Sequence, residues 1–132
     1  MKLYLDTSAL VKLVQVEAES AALRRYLKRC SGDLRMTSAL SRVELVRAVS
    51  AGGPQATAHA RRVLSRLHVL ELGRDLLDAA ADLAPGTVLR SLDAIHLASA
   101  VQVGNDLRAV LTYDSRMATT AAVLGLAVAA PA

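Results

Sequence analysis

Five short apolar runs, each separated from the next by a longer stretch of helical character, constrain this chain more than any other feature. The runs are residues 2–6 (KLYLD), 34–38 (LRMTS), 68–72 (HVLEL), 109–113 (AVLTY) and 126–130 (LAVAA). Between them lie helical stretches at 8–29, 39–66, 75–83, 92–103 and 115–124, and Gly52, Gly53 and Pro54 split the second into two helices. Strands spaced by helices need crossover connections, which produce a parallel sheet covered on both faces. The expected fold is α/β, a three-layer α/β/α sandwich around a central parallel sheet of about five strands, in one domain spanning residues 1–132.

Composition narrows the class. Hydrophobic residues make up 53% and mean hydropathy is +0.33, which argues against disorder. The apolar content is aliphatic, with three Tyr and no Phe or Trp, so base stacking on aromatic platforms is disfavoured. No apolar run reaches the roughly 18–20 residues of a membrane span, and a strand-like MKLYLD replaces any signal-peptide pattern. Cys30 is the sole cysteine and reads as a reduced thiol. A cytoplasmic protein with no membrane partner is expected.

Sixteen Lys and Arg against twelve Asp and Glu give a net charge of +4, and thirteen of the bases are Arg. If four acids are committed to a metal, eight remain against those sixteen bases. Arginine forks suit phosphate, so a polyanionic substrate fits the remaining surface.

Four acids stand where the topology brings residues to one sheet edge. In open α/β sheets ligands bind beyond the carboxyl ends of the strands. Asp6 ends the first strand, and Asp114 follows the fourth. Glu44 lies two turns into the helical stretch after the second strand, and Asp93 opens a helix after Pro85 and Gly86. Each has an ordinary structural reading as well. Asp6 with Thr7 or Ser8, and Asp114 by itself, can cap helices, and Glu44 can pair with Arg47 on a helix surface.

Asp93 is the most telling, because LDAIHLASAV is apolar almost all round and contains no Lys or Arg. An unpaired buried carboxylate costs several kcal/mol, more than the roughly 0.3–1 kcal/mol a helix dipole returns. A bound cation resolves the conflict; Arg90 is the competing partner. Without a partner, Asp93→Asn would stabilise the metal-free protein, and with Arg90 as partner it would destabilise it. His96, three residues on, reads as a hydrogen-bonded core residue, and no spacing supports zinc. Ser8 and Thr112 place hydroxyls beside Asp6 and Asp114, Thr112 doing so if the fourth strand runs that far. Gathered together, four carboxylates repel unless a divalent ion neutralises them, and an all-oxygen site selects Mg²⁺, with Mn²⁺ as the alternative.

These residues resemble the PIN domain, in particular the VapC-type toxins of bacterial toxin–antitoxin pairs. The likeness runs nearly end to end, through LDTSAL, SALSRVELVRA, LRSLDAIHLASA and LTYDSRMATTAAVLGLAV. It implies a Mg²⁺-dependent endoribonuclease, a homodimer, neutralised by a small antitoxin. It also implies an acidic metal site of Asp6, Glu44, Asp93 and Asp114, with Ser8 and Thr112 as accompanying hydroxyls. By the same resemblance Asp6 and Asp93 are the direct ligands, while Glu44 and Asp114 complete the site and orient water. Two alternatives stay open on the residues alone: a metal-dependent DNA nuclease and a non-catalytic RNA-binding domain. An aspartate-type phosphatase would want D-x-D, where this chain has Ser8.

Overall fold

A computed structural model describes residues 1–132. The elements in chain order are β1 (Lys2–Leu5), α1 (Thr7–Val14), α2 (Ser20–Arg29), β2 (Leu34–Ser38), α3 (Ser41–Val49), α4 (Gly53–Ser65), β3 (His68–Leu70), α5 (Arg74–Ala81), α6 (Ser91–Val103), β4 (Leu107–Leu111), α7 (Ser115–Val123) and β5 (Val128–Ala129). Every strand pairing is parallel and the sheet order is β3-β2-β1-β4-β5. The chain thus builds outward from β1 through β2 and β3, then returns to the other side of β1 for β4 and β5. The order reverses between β1 and β4, and that switch point is where open α/β sheets leave a crevice.

Alternation along the strands assigns the two faces. Leu3 and Leu5 of β1 join Ala109 and Leu111 of β4 in a core shared with Leu10, Leu23, Leu27, Leu45, Val49 and Leu64 from α1 to α4. Tyr4, Met36 and Val110 point the other way, against Ala100 of α6. Helices α5 and α7 pack on the flanks of α6, through Leu76, Ala80, Ala94 and Ala98 on one side and Leu97, Met117 and Ala121 on the other. Surrounded in this way, α6 buries seven consecutive or near-consecutive residues from Asp93 to Ala100, as its unbroken apolar character requires.

The structure corrects three expectations of local detail. The stretch 8–29 is two helices, because the Ser20 hydroxyl takes over at the break: it donates to the Lys12 carbonyl at 2.7 Å and accepts from the Glu17 N–H at 2.9 Å. Lys12 adds ion pairs to Glu17 and Glu19 across the same corner. The fourth strand ends at Leu111 rather than Tyr113, since its register is set by pairing with Lys2–Leu5 of β1. Glu44 lies in the first turn of α3, not two turns in, because Ala39 and Leu40 form a turn before the helix starts. The break at Gly52 and Gly53 is as expected. Gly53 has φ +83°, a left-handed conformation that costs glycine nothing, and Pro54 follows in the first turn of α4.

Candidate active site

Strand ends and helix starts at the switch point supply every side chain of the site. Asp6 follows β1 directly, caps α1 by accepting from the Ala9 N–H at 3.0 Å, and is almost wholly buried. Its Oδ1 also accepts from the Ser8 hydroxyl at 2.6 Å, and its Oδ2 from the Thr112 hydroxyl. Burial pushes the Asp6 carboxyl above the ordinary 3.8, and the hydrogen bonds from Ser8, Thr112 and Ala9 only partly oppose it. No arginine or lysine pairs with it. Thr112 lies one residue beyond β4, yet its hydroxyl still reaches across to Asp6 and accepts from the Asp114 N–H at 3.1 Å. Ser8 in turn accepts from the Tyr113 N–H at 2.9 Å, which ties the two strand ends together.

Asp114 caps α7, accepting from the Arg116 N–H at 2.9 Å. Asp93 lies in the first turn of α6 with little exposure. One guanidinium serves both. Arg90 Nε donates to Asp93 Oδ2 at 3.0 Å, and its Nη2 donates to Asp114 Oδ2 at 3.4 Å. The competing partner foreseen for Asp93 is therefore in place.

Glu44 reaches inward from α3. Its Oε1 accepts from the Thr7 hydroxyl at 2.7 Å and lies 2.6 Å from His96 Nε2. There is no pair with Arg47. The other ring nitrogen, Nδ1, lies 2.7 Å from the Tyr4 hydroxyl. Burial pushes the Tyr4 phenol up, so it keeps its proton, and His96 is its hydrogen-bond partner. Ionised Glu44 can only accept, so Nε2 carries the proton that faces it, and in the neutral ring Nδ1 then accepts from the Tyr4 hydroxyl. Burial works to raise the Glu44 carboxyl, but the donors His96 and Thr7 outweigh it and hold the group below the ordinary 4.5. His96 is the hydrogen-bonded core residue the sequence suggests, and in that position it also fixes Glu44.

Three of the four acids belong to one continuous network at the carboxyl edge, and Glu44 belongs to a second one beside it. Asp6, Thr112, Asp114, Arg90 and Asp93 follow one another, and Glu44 enters beside them, close enough that Arg90 helps to lower its pKa. No three His, Cys, Asp or Glu side chains close on a single point at metal-ligand spacing, and Asp93 and Asp114 face the guanidinium. The donor chemistry nonetheless fits a hard cation: four carboxylates and two hydroxyls, all oxygen, with one positive charge against four acids. Sequence reasoning does not single out Tyr4 or Ser41, which lies 3.4 Å from the Thr7 hydroxyl, and it reads Thr7 only as a helix cap. The only trace of Tyr4 in the sequence is a lone ring in an otherwise aliphatic strand.

A family model described as the PIN domain matches residues 3–123, which span every residue of this network. The chain belongs to the PIN domain family. Among curated relatives, Ribonuclease VapC46 of Mycobacterium tuberculosis is 48% identical over 98% of this PIN-domain chain and 97% of its own length. Ribonuclease VapC35 of the same organism is 45% identical over 98% and 96%. Solved structures share the fold at low identity. VapC20 of Mycobacterium tuberculosis, a toxin that cleaves the sarcin-ricin loop, superposes with a TM-score of 0.73 at 20% identity, over 89% of this chain and 94% of that one. VapBC2 of Rickettsia felis, bound to a DNA fragment from its promoter, gives 0.76 at 15% identity over 98% of each chain. The five-stranded parallel sheet and its helical layers are thus those of VapC structures.

Proposed function

We propose that this chain is a metal-dependent endoribonuclease, the toxin of a VapBC-type pair, that uses Mg²⁺ or Mn²⁺ to hydrolyse RNA phosphodiester bonds. The observation that carries the reading is the convergence of Asp6, Glu44, Asp93 and Asp114 at the switch point, in a PIN-domain chain whose relatives are ribonucleases. Asp6 and Asp93 would hold the ion, with Glu44 and Asp114 completing the site. Such an ion supplies charge neutralisation at the phosphate and a water made acidic enough to attack at neutral pH.

The protein's own groups do the positioning. Ser8 and Thr112 fix the two oxygens of Asp6, so this ligand meets an incoming cation already oriented. Thr7 and His96 keep Glu44 ionised and aimed, and the buried Tyr4 hydroxyl holds the other side of the His96 ring. Arginine-rich surface outside the site draws in the substrate. Two further elements rest on the family resemblance rather than on this geometry: a homodimer, and a small antitoxin that keeps the enzyme silent. Complexes of toxin with antitoxin are among the solved relatives of the fold.

The decisive experiment is cleavage of total RNA by the purified chain in Mg²⁺, in EDTA, and in EDTA with Mg²⁺ restored. Activity should vanish in chelator and return with the metal, and mapped cut sites would name the RNA. Full activity in EDTA would overturn the metal. Cleavage confined to DNA would overturn the substrate.

A further inference from the structure

We propose that Arg90 is an internal counter-ion of the acidic site: it clamps Asp93 and Asp114 in the metal-free protein, yields them to a divalent cation, and is thereby released to hold a substrate phosphate. The inference rests on the metal reading above and adds a role for a residue outside the carboxylate set.

Three observations carry it. First, Arg90 takes the Oδ2 atoms of both Asp93 and Asp114, at 3.0 and 3.4 Å. A cation held by Asp93 would compete with the guanidinium for the same carboxylate, and the two positive charges would repel. The two occupants exclude one another. Second, the guanidinium is on the solvent side of the cluster. Its side chain is 66% exposed, while Asp93 beneath it is 10% exposed. A side chain so placed can leave without disturbing the core. Third, Arg90 precedes α6 on extended backbone, at the end of the segment that includes Ala84 and Gly86, both at positive φ. It has no acidic partners besides Asp93 and Asp114. Once displaced, its planar fork of donors is free at the mouth of the site, where a phosphodiester must arrive, and that fork matches phosphate oxygens.

The test compares the wild-type chain with Arg90→Ala and Arg90→Lys by Mn²⁺ titration without RNA, following free Mn²⁺ by electron paramagnetic resonance. Arg90→Ala should bind Mn²⁺ at least threefold more tightly than wild type, because the competitor is gone, and Arg90→Lys should fall between. With Mn²⁺ saturating, Arg90→Ala should also show a raised KM for a short RNA oligonucleotide. Unchanged or weaker Mn²⁺ binding in Arg90→Ala would overturn the proposal, even if the wild type binds metal and cleaves. Should Arg90→Ala fail to fold, the wild-type Arg90 Nε resonance serves instead. It should shift as Mg²⁺ is added, and a fixed resonance would overturn the counter-ion role. A wild type that binds no Mn²⁺ would remove the metal reading and this inference together.

Discussion

The junctions β1–α1 and β4–α7 are built alike and differ in charge. Each follows a parallel strand with an aspartate that caps the next helix: Asp6 accepts from the Ala9 N–H, Asp114 from the Arg116 N–H. Asp114 is partly open to solvent and has Arg90 as a partner. Asp6 is buried, ringed by neutral donors, and meets no cation of its own. Capping alone therefore explains where both aspartates are, but not why one is left desolvated and unneutralised. That imbalance is the one a bound metal would correct. Asp33, at the opposite edge of the sheet, makes the same point: it pairs with the N-terminal amine and Arg108, which hold its carboxyl down at about 2.

The largest effect should come from removing the unneutralised charge. Asp6→Asn is expected to lower RNA cleavage by roughly a hundredfold or more, while raising the stability of the metal-free protein by about 1–2 kcal/mol, as neutralised functional residues often do. Asp93→Asn should match the loss of cleavage without the gain in stability, because Arg90 already pairs with it. Denaturant melts in EDTA, beside cleavage assays in Mg²⁺, separate the two. A destabilised Asp6→Asn would make Asp6 a helix cap first, and a destabilised but active Asp93→Asn would remove it from the site.

Next in size are the donors that hold Asp6. Ser8→Ala and Thr112→Val each leave a buried carboxylate oxygen short of a partner, at a cost of about 1–3 kcal/mol. Thr112→Ser keeps the hydroxyl and should recover most of it. Equal stabilities for Thr112→Val and Thr112→Ser would show that the Thr112 hydroxyl contributes nothing.

A pH series sharpens the contrast further. Asp6 holds its proton more tightly folded than unfolded, so its contribution is present below the unfolded value and is lost as pH rises through the raised folded one. Subtracting the Asp6→Asn stability curve from that of the metal-free wild type should leave a difference that falls with rising pH. A difference that rises, or stays flat, would mean that Asp6 is not desolvated. The smallest change belongs to the neutralised junction. Asn caps helices as well as Asp, and a half-exposed ion pair is worth little, so Asp114→Asn should shift stability by no more than about 1 kcal/mol. A larger loss would mean that Arg90 and Asp114 form a structural bridge.

How much of this was legible in the sequence depends on range. Alternating strand and helix patterns placed the layers and put Asp6 and Asp114 at strand ends, because local periodicity and chain order suffice for that. The break between α1 and α2 was not legible, since it is marked by a Ser20 side chain binding backbone rather than by Gly or Pro. The end of β4 was misplaced by two residues because register is a property of the neighbouring strand. In the proposed site, residue type and chain order single out the carboxylates. The line from Tyr4 through His96 to Glu44 did not, because it joins β1, α6 and α3, and no local pattern encodes three elements meeting.

The bond between Thr112 and Asp6 joins residues 106 positions apart. On the ribosome, Asp6 is made before Thr112, with roughly 5–20 s of synthesis between them at ordinary elongation rates. During that interval β1 has no β4 beside it, and the aspartate that most needs its neighbours has neither the Thr112 hydroxyl nor the shelter of the switch point. The nascent chain therefore lacks this cluster until Thr112 has followed Asp6. A nuclease assembled in this order waits on its fourth strand before Asp6 has its neighbours.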